Sequence, residues 1–202
     1  MSDPLPPPGN ARTYDVYFFV PGNSRLFLHN PNHGVTVSDT GLAWVNNGEA
    51  RSMPFGDITA IHLSCGAIGQ QILDQCRINF GDGGVITLAS WNDRGLPDEK
   101  QIPVYRACIG DLHARLAARG QDAIRFTAGF PQWRYNVLLG AVICAGLLWF
   151  GALVAVLFMA PNLQGVGVLI GGLVVGVPIV KVLRKNSPRY YTPDNPPGEL
   201  LS

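Results

Sequence analysis

The chain has 202 residues, of which 47% are hydrophobic and only 14% charged, with a formal net charge of +1. Globular chains carry about 25% charged residues at a comparable apolar fraction, so the deficit has to sit somewhere. The near-zero balance excludes a globally basic nucleic-acid binder, the apolar content excludes a wholly disordered chain, and 4 cysteines are too few for a disulfide scaffold.

Residues 1–11 open with MSDPLPPPGN, which favours polyproline geometry and reads as a flexible lead. It lacks the apolar run of a secretory signal, so the domain that follows is expected in a reducing compartment. Cys65, Cys76 and Cys108 are accordingly expected as small buried hydrophobes rather than disulfide partners.

Strand character begins at Thr13–Val20, which is aromatic and β-branched, and stops at Pro21-Gly22-Asn23. Short runs follow at Arg25–His29, Val35–Val37, Leu42–Val45, Ala50–Phe55 and Ile58–Leu63, divided by turn residues at Ser38–Gly41 and Asn46–Gly48. Asp57 is expected to turn the chain into Ile58. Gln75–Phe80 and Val85–Ser90 flank Gly81-Asp82-Gly83-Gly84, a hairpin signal. One amphipathic helix comes next: Tyr105, Cys108, Ile109, Leu112 and Leu116 recur every three or four residues. Pro103 suits its first turn, Arg115 and Arg119 its last, and Gly120 ends it. Ala123–Thr127 is a further strand-like piece before Gly129-Phe130-Pro131.

The stretches VTVSDTGLAWV (35–45), NGE (47–49) and MPFGDITAIHL (53–63), with the hairpin and closing helix after them, resemble bacterial pleckstrin-homology-like (PH-like) domains over roughly Tyr14–Arg119. That resemblance implies a mainly β fold for residues 12–129, a PH-like β-sandwich or barrel closed by one C-terminal helix. A phosphoinositide reader needs clustered Lys and Arg in the first strand–strand loop. Here that loop offers only Arg25, and the chain through Tyr135 holds 11 Lys plus Arg against 12 Asp plus Glu, so phosphoinositide binding is disfavoured.

The missing charge lies in one place. Val137–Val180 is 44 consecutive residues without Asp, Glu, Lys or Arg, and 32 of them are apolar. Ala160-Pro161-Asn162 divides the stretch, giving two spans at about 137–159 and 163–183, each near the ~20 residues a bilayer crossing requires. Residues 130–185 are therefore expected to form a two-helix transmembrane hairpin, because so short a chain cannot bury two helices that are apolar all round. Arg115, Arg119, Arg125 and Arg134 precede the first span, and Lys181, Arg184, Lys185 and Arg189 follow the second. The positive-inside rule then places both termini in the cytoplasm, in a multi-pass protein of a bacterial inner (plasma) membrane. Trp133, Tyr135, Tyr190 and Tyr191 suit an interfacial aromatic belt, and residues 186–202 read as a Pro-rich cytoplasmic tail. Gly167 with Gly171 and Gly172 with Gly176 are small-xxx-small steps on the second span. Ala141 with Ala145 and Gly151 with Ala155 are the steps on the first, and all eight are expected at helix contacts.

Chemistry-bearing motifs do not occur. The sequence has no Gly-x-Ser-x-Gly, phosphate loop, dinucleotide fingerprint or His-Glu-x-x-His. His29 and His33 flank Asn30-Pro31-Asn32, a loop, and His62 with Cys65 is two ligands short of a zinc site. His113 has no partner at ligand spacing. No catalytic, cofactor or metal residue and no nucleic-acid partner is expected. The function expected is a non-enzymatic, membrane-anchored interaction module docking a PH-like domain to a partner protein or membrane complex. The alternative is an accessory subunit or assembly factor of a respiratory or transport complex.

Overall fold

A computed structural model describes residues 10–21, 32–46, 48–68, 71–120, 123–159 and 179–198. The chain divides into two compact units, Met1–Ala128 with Arg189–Ser202, and Gly129–Pro188. The first unit holds β1 (Arg12–Phe19), β2 (His33–Val37), β3 (Gly41–Asn46), β4 (Glu49–Pro54), β5 (Ile58–Ile68), β6 (Gln71–Phe80), β7 (Val85–Ala89), helix α1 (Gln101–Ala118), β8 (Arg125–Ala128) and β9 (Arg189–Tyr190). They form one sheet in the order β4-β3-β2-β1-β7-β6-β5-β8-β9. The fold is mainly β, as the run of short strands predicts.

Two meanders, β1 to β4 and β5 to β7, meet at β1. One edge of it pairs with β2 (Arg12 opposite Val37, Tyr17 opposite His33), and the other edge of its second half pairs with β7 (Phe18 opposite Leu88). A register shift in the β1–β2 pairing lies between Tyr14 and Tyr17, where an irregularity in the ladder bends the strand. Inward residues then alternate: Val16 and Phe18, Val35 and Val37, Leu42 and Trp44, Cys76 with Ile78 and Phe80, and Ile86 with Leu88 are all buried. In β5 the period breaks once, from Ile58 to Ile61, where the β5–β6 register shifts between Ile58 and Ala60. Trp44 stacks on Phe80 at 5.9 Å and meets the edge of Phe18 at 6.5 Å, which ties the two meanders together.

Turn chemistry fixes the register. Ser38 Oγ accepts the Gly41 N–H at 3.1 Å, and Phe80 N–H donates to the Gly84 carbonyl at 2.9 Å around Gly83, whose φ is +83°. Asp57 lies in a single 3-10 turn, and its carbonyl accepts the Gly81 N–H at 2.8 Å. Helix α1 buries Tyr105, Cys108, Ile109, Leu112, His113 and Leu116, the stripe expected from its spacing with His113 added. Edge strand β4 is exposed, and carries the Arg51–Glu49 pair at 3.2 Å, the charged edge that discourages unwanted strand pairing.

The second unit contains α2 (Gln132–Met159), 28 residues or about 42 Å long. Its first 21 residues are long and apolar enough to cross a membrane, and none of that window is buried. The helix starts at Gln132 rather than at Val137. The charge-free criterion cannot see the turn carrying Arg134, and the Pro131 carbonyl accepts the Tyr135 N–H at 3.0 Å to begin the spiral. One apolar helix is thus described, not the expected pair: residues 163–178 of the second span lie outside the described residues, and its remainder belongs to a helical run over 179–185. The run expected at Arg25–His29 also lies outside them.

Candidate functional site

Helix α1, strand β8 and the residues after β9 bring three aromatic rings together in the first unit. His113 lies 5.9 Å from Phe126 and 5.6 Å from Tyr191, and Phe126 and Tyr191 are 5.5 Å apart. His113 is 2% exposed, and its Nδ1 lies 2.8 Å from the Ile109 carbonyl, which only accepts. Nδ1 therefore carries the proton, and Nε2 accepts the Tyr191 hydroxyl at 2.9 Å. Burial pushes the His113 pKa down, the Ile109 hydrogen bond opposing it, while burial raises that of Tyr191. Both groups stay neutral, as a closed hydrogen-bond chain in an apolar pocket requires.

On the other side of β8, His62 faces Thr127. They are register partners in the parallel β5–β8 ladder, and His62 Nδ1 sits 2.9 Å from Thr127 Oγ1. Burial, and then the nearby Arg77 charge, lowers the His62 pKa. Strand β8 is consequently held by β5 on one edge and by β9 on the other, through Thr127 opposite Tyr190 and Ala128 opposite Arg189. The Tyr191 N–H continues the pairing, donating to the Phe126 carbonyl at 3.4 Å.

This corrects one expectation about the tail. Residues 186–202 read as a Pro-rich spacer, yet β9 and Tyr191 pack into the domain, and Thr192 bridges Asn195. A two-residue strand between Pro188 and Pro193 is too short to show any period, and Tyr190 with Tyr191 looks like a membrane belt. Tyr190 is 82% exposed, whereas Tyr191 is half-buried and packs against the core.

The second unit has its own closure. The Phe130 N–H donates to the Asn186 carbonyl at 2.8 Å, and fully buried Asn186 caps the preceding helical turn through its Nδ2 on the Val182 carbonyl at 3.0 Å. Gly129 has φ +85°, and a Cβ there would overlap the Ser187 and Asn186 carbonyls. Only glycine fits that crossing of the two strands of chain.

Other polar groups tie elements of the first unit together. Arg115 is shared by Asp111 at 3.0 Å, Asp39, and the Asn10 carbonyl at 2.7 Å, while Tyr14 donates to Asp111 at 3.0 Å. Arg115 thus ties the start of β1 and the β2–β3 turn to α1 beside an open cleft that Arg12 also lines. Cys65, Cys76 and Cys108 are buried, and burial pushes the thiol of Cys108 up to about 12 and that of Cys76 higher still, which favours their protonated forms at neutral pH. The Tyr105 hydroxyl is fully buried without a hydrogen-bond partner among the described residues. No cluster of three metal-ligating side chains occurs among the described residues, and His33 instead meets Asp15 at 2.6 Å. Of the helix-contact candidates, Ala141, Ala145, Gly151 and Ala155 are exposed on α2, and a Cβ on Gly151 would meet nothing within 4 Å. Gly167, Gly171, Gly172 and Gly176 lie outside the described residues.

Fold and site together define a mainly β domain into which an apolar helical segment is inserted. In comparisons with family models and with curated proteins, nothing matches this chain.

Proposed function

We propose that the chain is a non-enzymatic, membrane-anchored interaction module. In this reading a PH-like domain on the cytoplasmic side of a bacterial inner membrane is tethered by a two-helix transmembrane hairpin, and docks on a partner protein or a larger membrane complex. The observation that carries the reading is the β8–β9 ladder. Ala128 and Arg189 are register partners, so residues 129–188 leave and rejoin the domain at one place. A folded domain lies on one side of a bilayer, so a segment with both ends there crosses an even number of times. One crossing by exposed, apolar α2 then demands a second, and the charge-free residues 163–178 supply it.

The PH-like assignment is supported by two antiparallel meanders joined through β1 and β7 and followed by one packed helix. A non-catalytic role is supported by the chemistry of the interior, where the thiols are held protonated and His113 is committed to Ile109 and Tyr191. The small faces Ala141, Ala145, Gly151 and Ala155 on one helix and Gly167, Gly171, Gly172 and Gly176 on the other are the proposed packing surfaces within the hairpin or against the partner.

Affinity purification of the full chain in mild detergent, with prior cross-linking in cells, tests the docking role. A reproducible protein partner supports it, and stoichiometric recovery with one membrane complex narrows it to an accessory subunit. A monodisperse chain that cross-links to nothing contradicts it.

A further inference from the structure

We infer that the base of the inserted segment is a binding surface for anionic phospholipid, a reading that rests on the membrane-anchor proposal above. Gly129–Pro188 contains four charged residues, Arg134, Lys181, Arg184 and Lys185, all positive. They are not spread along the unit. The Phe130–Asn186 hydrogen bond and the Gly129 crossing bring the start of α2 beside the end of helical residues 179–185, so the four cations share one end.

Lys181, Arg184 and Lys185 stand at i, i+3 and i+4, one face of a helix where like charges repel. The opposite side of that turn is committed inward, with Leu183 6% exposed and Asn186 fully buried. Ion pairs among the described residues include His33 with Asp15, Arg51 with Glu49, and Arg115 with Asp39 and Asp111, and none is formed by these four cations. The unit has no Asp or Glu with which to neutralise them. Arg134 adds a cation at the N-terminal turn of α2, the end that favours negative charge, and its contact is the Trp133 ring at 5.9 Å. An anion is what this arrangement lacks.

The surface next to the cations selects a lipid rather than a soluble anion. Trp133 is 67% exposed, and Val137 and Leu138 immediately beyond it are 63% and 43% exposed. A ligand that places a phosphate among Arg134, Lys181, Arg184 and Lys185 and a hydrocarbon chain along α2 matches both halves of the surface. A phospholipid with net negative charge has that form, and each basic residue near such a headgroup contributes about a fivefold preference.

The test uses the full chain reconstituted in an equimolar mixture of phosphatidylglycerol and phosphatidylcholine, then re-extracted in mild detergent, with retained lipid measured by mass spectrometry. Phosphatidylglycerol should be enriched at least about fivefold over phosphatidylcholine, the enrichment shrinking as NaCl is raised. It should approach parity in a Lys181→Gln/Arg184→Gln/Lys185→Gln variant and be unchanged in Arg51→Gln, which removes an exposed cation of the first unit. Equal retention of the two lipids, an enrichment indifferent to salt, or an equal loss in Arg51→Gln would overturn the inference. The salt series on the unaltered protein decides the matter if the triple variant does not fold. Alkaline carbonate extraction of native membranes separates the two levels. A chain that pellets but shows no lipid preference overturns this inference alone, and a chain released to the supernatant overturns the anchor reading and this inference with it.

Discussion

Strand β3 and helix α2 are both rich in apolar residues, yet they meet their surroundings in opposite ways. In β3, Leu42 and Trp44 are 1% and 6% exposed and alternate with outward neighbours such as Val45. In α2, Leu147, Leu148 and Phe150 are 66%, 76% and 60% exposed. Alternation at period two marks a surface with a wet side and a dry side. An all-round apolar helix has no wet side of its own, whether its cover is protein or bilayer. The two materials meet where Ala128 pairs with Arg189, so the comparison turns on how firmly that meeting point is held.

Gly129→Ala should disturb it most. The added Cβ has no room beside Asn186 and Ser187, and φ +85° strains any L side chain. A cost of about 3 kcal/mol, or roughly 8 °C in Tm, is expected. Thermal unfolding followed by tryptophan fluorescence in detergent would read it, and an unchanged Tm would show that the crossing is looser than drawn. Gly146→Ala on α2, where a Cβ meets nothing described, is the matched control.

Tyr191 comes next, because it is the aromatic anchor of the returning chain. Tyr191→Ala should cost about 2–3 kcal/mol through lost packing against His113 and Phe126. Tyr191→Phe should cost only about 1–2 kcal/mol, the penalty of leaving His113 Nε2 unpaired. Hydrogen exchange at Thr127 and Ala128 should accelerate in the order wild type, Phe, Ala. Equal rates in all three would mean that Tyr191 does not hold the closure.

Acid should act more gently on the same place. His113 and His62 both have lowered pKa values in the folded domain, so below about pH 6.5 the unfolded chain binds protons that the folded chain refuses. The stability they provide is complete above that pH and is lost as pH falls through the folded values. Exchange protection of β8 and β9 should therefore weaken from about pH 7 to pH 5, with His113→Gln flattening much of the slope. A profile equally steep in the variant would assign the acid sensitivity to other groups.

Much of the β domain is legible in the sequence, because turn residues at Ser38–Gly41 and Gly81–Gly84 punctuate runs whose alternation is set by burial. Helix α1 is equally plain from the spacing of Tyr105, Cys108, Ile109, Leu112 and Leu116. The closure was not legible. His113 occupies a buried stripe position, but its partner Tyr191 is 78 residues away in sequence. Long-range pairing leaves no local pattern, and β9 is too short to create one. Arg115 shows the same limit, since its place in a last helical turn suggests a dipole partner and gives no hint of Asp39 or Asn10. The cationic end of the inserted segment stands between these cases. Its charges are visible in the sequence, while the Phe130–Asn186 contact that gathers them is not.

The central claim is that residues 129–188 cross the bilayer twice and return to the side they left. Reporter fusions that are active on only one side of the membrane, placed after residue 10, within residues 160–162 and after residue 202, measure this directly. The account predicts that the first and last report the cytoplasm and the middle one the opposite side. Termini reporting opposite sides, or all three reporting the same side, would contradict it.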